Sequence, residues 1–173
     1  EVLQTKKKLN MKILVTGTGG YIGSLAARRL LEAGMEVVGV DSCVRGFLQP
    51  MEILRKEFGE RKFRYYKNDI RTEIGSVFGS EPSIDAVMHF AALCNVGESE
   101  QSPELYFDNN VGGVVSLMDA MKDAGVDKLV FSSTCATYGN PEQEVISETH
   151  PQNAPTSPYG ESKFFIERML YWL

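Results

Sequence analysis

The sequence predicts an α/β chain built on a doubly wound parallel sheet. Three observations carry this expectation. Short apolar runs alternate with helical patterns along the chain. A glycine-rich turn, Thr16-Gly17-Thr18-Gly19-Gly20-Tyr21-Ile22-Gly23, follows the first apolar run. Residues able to do chemistry fall just after such runs. Alternation of this kind builds right-handed βαβ units, whose strands lie parallel with helices over both faces.

The elements follow in order. Lys12 to Val15 reads as the first strand and Ile22 to Ala33 as a helix stopped by Gly34. Glu36 to Val40 is a second strand ending at Asp41. Pro50 to Phe58 is a short helix with Gly59 behind it, and Phe63 to Tyr66 a third strand before the loop Asn68-Asp69-Ile70. Ile84 to Phe90 is a fourth strand. Pro103 to Ala124 reads as one long helix stopped by Gly125, and Lys128 to Ser132 as a fifth strand. A loop rich in Pro, Asn and Thr leads to Pro158, and Tyr159 opens a final helix. The strand order expected is 3-2-1-4-5, with ligands beyond the carboxyl ends of the strands.

A length of 173 residues suits one domain with a real core. The composition, 43% apolar and 24% charged, is that of an ordinary globular chain. The net charge of −5, with Lys6-Lys7-Lys8 as the one basic cluster, argues against a nucleic-acid surface. Cys43, Cys94 and Cys135 are far apart and odd in number, which points to a reducing cytosol rather than a disulfide framework. No metal site is expected. His89 and His150 lack ligand spacing, and His89, inside an apolar strand, reads as a core residue. No run is long enough to span a bilayer. Glu1 to Asn10 read as an extension or an appended remnant, leaving residues 11–173 as the domain. The apolar end, Met169 to Leu173, has no capping residue, which suggests that the domain is cut short.

Gly17, Gly20 and Gly23 lie between a strand and a helix. Positions without side chains let the backbone approach a pyrophosphate, and the helix N-terminus offers free N–H groups and partial positive charge. The cofactor is expected against Gly17, Gly20, Tyr21, Ile22 and Gly23. A carboxylate at the end of the second strand, Asp41, can accept both ribose hydroxyls of the adenosine and repel a 2′-phosphate, favouring NAD over NADP. Arg45 is close enough in sequence to soften that choice, and a plain strand-end turn is the alternative role for Asp41. Tyr159 and Lys163 are four apart on a helix and so share a face. A free tyrosine, with a pKa near ~10, is a poor base; a neighbouring ammonium stabilises its phenolate. Thr134, after Ser132-Ser133, can bridge a substrate oxygen and the tyrosine, or it can serve as turn chemistry. Gly112 and Gly113 fall inside the long helix, where each costs roughly 1 kcal/mol relative to Ala; close approach to another backbone or to the cofactor would explain them.

These segments resemble the extended short-chain dehydrogenase/reductase family, in its NAD-dependent epimerase/dehydratase branch of Rossmann-type domains. The likeness covers Thr16–Gly23, Asn68-Asp69-Ile70-Arg71, His89-Phe90-Ala91-Ala92, Val96-Gly97-Glu98-Ser99, Asp108-Asn109-Asn110-Val111, Phe131-Ser132-Ser133-Thr134 and Ser157-Pro158-Tyr159-Gly160 with Lys163. It implies that Asp69 and Ile70 contact the adenine, that Phe90, Ala91, Ala92 and Asn109 line the NAD site, and that Thr134, Tyr159 and Lys163 are catalytic. Ser132, Tyr159 and Lys163 would also face the cofactor. Where the family often has Asp-Asn, this chain has Asp41-Ser42, and where some members carry Lys it has Cys94.

The activity implied is NAD-dependent 4-epimerisation of a UDP-sugar, by transient oxidation at C4 and return of hydride to the other face. A 4,6-dehydratase is the enzymatic alternative; it needs a carboxylate pair after the Thr, where this chain has Cys135 and Ala136. A non-catalytic NAD-binding fragment is the other. Family chains are about twice as long and grip the sugar nucleotide with the other half, so the isolated 173 residues are expected to be inactive. A homodimer through the 103–124 and 159–173 helices is also expected, with Val111, Val114, Val115, Met118 and Met121 forming one apolar stripe, Leu117, Ala120 and Ala124 extending the apolar surface to a second side, and one side packing on the sheet.

Overall fold

The computed structural model describes residues 11–173 apart from Glu142, Glu144 and Asn153; the extension at residues 1–10 lies outside them. Five parallel strands form one sheet in the order β3-β2-β1-β4-β5, as expected. They are β1 Lys12–Thr16, β2 Glu36–Val40, β3 Phe63–Tyr66, β4 Ala86–His89 and β5 Leu129–Phe131. β1 lies at the centre. It pairs with β2 from Lys12↔Glu36 to Thr16↔Val40 and with β4 from Ile13↔Ala86 to Thr16↔His89. The winding reverses between β1 and β4, which opens a crevice beyond their carboxyl ends.

The strands are apolar on both faces because both are covered. On one side Ile13, Val15, Val37 and Phe63 pack against Ala27 and Leu31 of α1 (Tyr21–Glu32) and Met51 and Leu54 of α2 (Leu48–Phe58). On the other, Leu14, Val38, Val40 and Val87 meet Ile74, Val77 and Phe78 of α3 (Ile74–Ser80) and Leu117, Ala120 and Met121 of a later helix, α6 (Gly113–Asp123). Leu14, Val15 and Leu117 are fully buried, and each such side chain contributes about 1.5–3 kcal/mol. The glycines expected to stop helices do so: Gly34, Gly59 and Gly125 follow α1, α2 and α6 at φ 92°, 80° and 69°. Among the described residues no helix is long and apolar enough to cross a membrane.

Three features depart from expectation. α3 forms although Gly75 and Gly79 sit in it, because Ile74, Val77 and Phe78 bury against the sheet; packing outweighs propensity. α4 (Val96–Gln101) is capped by Asn95, whose side chain accepts the Glu98 N–H. The single helix expected at 103–124 is instead α5 (Pro103–Tyr106), a π-helical turn at Phe107–Gly112, and α6 (Gly113–Asp123). The apolar stripe is corrected accordingly. Val114, Leu117, Ala120 and Met121 are buried, whereas Val115, about 100° round the helix from Val114, is 44% exposed.

Gly113 has a packing reason. A Cβ there would lie 2.7 Å from Cδ1 and 3.1 Å from Cγ1 of the buried Ile70. Alanine would gain up to about 1 kcal/mol of helix propensity but overpack the contact by about 1–3 kcal/mol. Gly113→Ala should therefore lose roughly 1 kcal/mol, with Tm lower by about 2–4 °C. In an Ile70→Val background, which removes Cδ1, the same change should cost less. Equal costs in the two backgrounds, measured by denaturant titration, would exclude the contact as the cause.

Candidate functional site

Five of the segments singled out in the sequence follow the carboxyl end of a strand. Gly17 follows β1, Asp41 β2, Asp69 β3, Phe90 β4 and Ser132 to Thr134 β5. The glycine turn is set by backbone proximity. Gly17 adopts φ +79°, and a Cβ on it would meet Ala91 N and Phe90 C at 2.8 Å. A Cβ on Gly23 would stand 2.1 Å from Gly17 O. Gly20 is the N-cap of α1 in an extended conformation, and no side chain caps this helix. Its first N–H groups stay available to an anion, beside Tyr21 and Ile22, which are 81% and 58% exposed. A cradle that a Cβ would fill, with free amides at its floor, fits a dinucleotide pyrophosphate.

Behind the turn, the Thr16 hydroxyl accepts the N–H groups of Phe90 and Ala91, both at 3.2 Å, and lies 2.7 Å from His89 Nδ1. With both lone pairs used, its proton goes to Nδ1, which leaves His89 neutral with the hydrogen on Nε2. His89 is the core histidine expected, 1% exposed and stacked 5.9 Å from the Phe131 ring. Burial, aided by the nearby Lys163 charge, drives its pKa down to about 3.

Asp41 has two local duties. Its carboxylate accepts Gly19 N at 2.9 Å and Cys43 N at 2.7 Å, so it braces the glycine turn and starts a turn of its own; the half-buried oxygens retain free lone pairs. Ser42 Oγ accepts Val44 N at 3.4 Å. Asp69 is gripped by Arg71 through Nε at 3.1 Å and Nη2 at 2.7 Å, and those bonds hold its pKa below the usual carboxylate range. Ile70 is buried against Gly113. Phe90, Ala91 and Ala92 are partly exposed at the exit of β4.

On the far side, α7 (Pro158–Tyr171) begins at Ser157, whose hydroxyl accepts Gly160 N at 3.1 Å. Tyr159 is half-buried, edge-on to Tyr106 at 6.4 Å. Burial raises its pKa and a bond to the Thr134 side chain pulls the other way. Lys163 is 3% exposed. Its Nζ donates to Ser132 O at 2.9 Å and sits 4.6 Å from the Phe131 ring centre. Burial lowers its pKa to about 8, with Cys94 and Glu167 opposing. Thr134 is thus set beside Tyr159, while the direct hydrogen-bond partner of the lysine is the Ser132 carbonyl. Asn109 Nδ2 donates to Asn110 Oδ1 at 3.0 Å.

Sequence reasoning did not foresee the contacts of several residues. Asn110 is buried, accepting Leu93 N and donating to Leu93 O and Ser162 Oγ. Tyr106 donates to Glu98 at 2.8 Å, and Glu98 also takes the Arg45 guanidinium. Glu167 accepts Ser133 Oγ and, at 2.6 Å, Gln152 Nε2. The spacing Asn95-x-x-Glu98 was the one available signal, as a helix start. Surface hollows of about 470 and 290 Å³ lie along α1 and α2 and share no residue with the strand-end cluster.

This architecture is that of the Rossmann-type nucleotide-binding domains, with the open helix terminus at the reversal point and the tyrosine–lysine helix beyond the last strand. The chain belongs to the NAD dependent epimerase/dehydratase family, whose sequence model matches residues 13–173. It is 46% identical over 164 residues to a UDP-glucose 4-epimerase of Lacticaseibacillus casei, covering 94% of this chain and 46% of that protein. It is 47% identical over 161 residues to one of Streptomyces lividans, covering 92% and 46%. Among solved structures, the UDP-glucose 4-epimerase of Bifidobacterium longum in complex with NAD+ and UDP superposes with a TM-score of 0.88 at 36% identity, over 93% of this chain and 48% of that one. The enzyme of Stenotrophomonas maltophila, with bound NAD and formylated UDP-arabinopyranose, gives 0.86 at 40%, over 94% and 48%. The chain spans about half the length of the curated relatives it matches.

The buried neutral His89 makes the strand ends sensitive to acid. Its folded pKa, about 3, lies below the unfolded value near ~6.5, so the unfolded chain binds more protons between these values. Stability is full above pH ~6.5 and falls as pH drops toward about 3. Between pH 6.5 and 4.5, above most carboxylate titrations, the loss should be about 2 kcal/mol, or roughly 5 °C in Tm. His89→Asn should flatten that slope. Scanning calorimetry showing the same slope in the variant would assign the acid sensitivity elsewhere.

Proposed function

We propose that this chain is the cofactor-holding part of an NAD-dependent UDP-sugar 4-epimerase. The observation that carries the reading is the convergence of an open, glycine-built anion cradle at β1 with Thr134, Tyr159 and Lys163 beyond β5. The two solved structures named above hold NAD with UDP or a UDP-sugar, which supports carrying both ligands over to the whole protein. NAD, when bound, supplies a reversible hydride acceptor. In this reading Gly17, Gly20, Tyr21, Ile22 and Gly23 hold the pyrophosphate on α1, Asp41 and Ser42 take the adenosine ribose, and Asp69 and Ile70 face the adenine. Phe90, Ala91, Ala92, Asn109 and Ser132 line the inner part.

Tyr159 takes the proton of the sugar 4-hydroxyl. Its raised pKa makes it a poor base until positive charge faces it, and Lys163 is placed to supply that charge. With a pKa of about 8, the amine is still mostly protonated at neutral pH. Thr134, already bonded to Tyr159, bridges the phenol and the substrate oxygen. The exposed Leu105, Phe107, Val115 and Phe165 on the outer faces of α5 to α7 support a homodimer through these helices. The free cysteines suit a reducing cytosol, where UDP-glucose and UDP-galactose would be interconverted.

Two measurements bear on this. Calorimetry on the chain should show NAD binding that Asp41→Ala weakens by at least tenfold, about 1.4 kcal/mol, since both a ribose acceptor and the brace on Gly19 are lost. Unchanged affinity would remove Asp41 from the site. In a full-length enzyme carrying these residues, Tyr159→Phe should lower UDP-galactose turnover by at least 10³-fold, within the range general acid–base catalysis contributes, while NAD affinity holds. Near-normal turnover in that variant refutes the role given to the phenol.

A further inference from the structure

We infer that Glu167 is a positioning residue for the Tyr159–Lys163 pair: its carboxylate locks α7 in register on the end of β5 and sustains the ammonium charge of Lys163. The inference rests on the proposed role of that pair.

Three consecutive residues leaving β5 are each tied to α7. Ser132 O accepts Lys163 Nζ at 2.9 Å, Ser133 Oγ donates to Glu167, and the Thr134 side chain lies beside the Tyr159 phenol, whose pKa it pulls down. The partners 159, 163 and 167 are spaced by four and so line one face of the helix. A one-residue slip of either element would break both hydrogen bonds together and part Thr134 from Tyr159. Such ties matter here because β5 is a three-residue edge strand, paired on one side only with β4, and Val130 within it is 55% exposed. Glu167 is the member that reaches outward as well. Its second oxygen accepts Gln152 Nε2 at 2.6 Å, and Gln152 Nε2 also lies 3.4 Å from Thr137 Oγ1. With both oxygens engaged, the carboxylate is fixed in place.

Its charge then matters to Lys163, one turn back. Lys163 is almost wholly buried, and a buried ammonium loses its proton more readily unless something offsets desolvation. The groups facing it are few. From β4 comes the neutral His89, from the loop after β4 the thiol of Cys94, from its own helix Tyr159 and Glu167, and from β5 the Ser132 carbonyl and the Phe131 ring. Cys94 and Glu167 both favour the charged amine, and of the two only Glu167 is a carboxylate. A lysine that deprotonates too early could not stabilise a phenolate, so the carboxylate that holds the strand end also protects the charge that the tyrosine needs.

The test reads Lys163 directly, without substrate or cofactor. Chain labelled with 13Cε-lysine is titrated by NMR, with Lys163 assigned from a Lys163→Met spectrum. The wild-type midpoint is expected near about 8. Glu167→Gln, which keeps the shape but not the charge, should lower it. Ser133→Ala combined with Gln152→Ala leaves the charge but frees the carboxylate, and should lower the midpoint too. An unmoved Lys163 midpoint in a folded Glu167→Gln chain overturns the inference. If that variant fails to fold, the Ser133/Gln152 double variant decides by the same rule. A residue that only supports the fold would leave the midpoint in place. Because Tyr159→Phe turnover is a separate measurement, failure here does not stand in for failure of the proposed reaction.

Discussion

The arrangement at the strand ends depends on how closely β1 and β4 approach where the winding reverses. One hydroxyl governs that approach. Thr16 Oγ1 draws in the N–H groups of Phe90 and Ala91 and hands its proton to His89, so the chain leaves β4 pressed against the chain leaving β1. Gly17 is the consequence, since no side chain fits between its Cα and Phe90–Ala91. Gly23 repeats the constraint one turn into α1, against Gly17 O. Gly19 fits under the Asp41 carboxylate, which takes its N–H. The glycines of the motif thus answer separate contacts, one at the exit of β4, one at the Asp41 carboxylate after β2 and one within the turn. Together they hold the open N-terminus of α1 over the crevice.

The other half of the site is built by docking a helix on an edge. α7 reaches the exit of β5 through Gly160, where a Cβ would stand 3.0 Å from Ala136 O. The Tyr159 ring is steadied from behind by Tyr106, whose hydroxyl is anchored by Glu98 and Asn95 N. The π-helical turn of Phe107–Gly112 turns Asn110 inward, where it bridges Leu93 and Ser162. Such single π turns recur at functional sites because they re-aim a side chain without ending the helix. Here the turn makes neighbours of the β4 exit and the tyrosine helix.

Much of this could be read from the sequence, for physical reasons. Strand order followed from apolar runs punctuated by Gly34, Gly59 and Gly125, all of which take positive φ. The glycine turn was legible because its constraint is local: side chains are missing where backbones touch. Other features depend on contacts remote in sequence. α3 carries Gly75 and Gly79 and is held only by what it buries. The π turn has no periodic signal that sets it apart from the helix around it. Tyr159 and Lys163 were visible as a pair, but the Ser132 carbonyl that takes the amine and the Glu167 carboxylate beside it are joined only by tertiary packing. Asp41 shows the intermediate case. Both roles considered for it have physical grounds, and the structure shows the turn role directly.

The treatment of two buried charges separates scaffold from site. Glu81, at the far end of the sheet from the cradle, is 3% exposed. Burial pushes its pKa up, but bonds from Arg64 and Tyr66, with Lys12 nearby, outweigh that and leave it lowered. It is a satisfied ion held for structure. Lys163 is equally buried, but it donates to a carbonyl rather than to a carboxylate, and burial wins. Among the described residues no buried side-chain nitrogen or oxygen lacks a partner, so the difference is not one of missing hydrogen bonds. It is a difference of charge compensation: complete at Glu81, partial at Lys163. A folded chain gains no stability from an under-compensated ammonium. In the proposed reaction, the amine at the mouth of the crevice would respond in charge to a phenolate or a cofactor placed beside it, the property that acid–base chemistry at neutral pH requires.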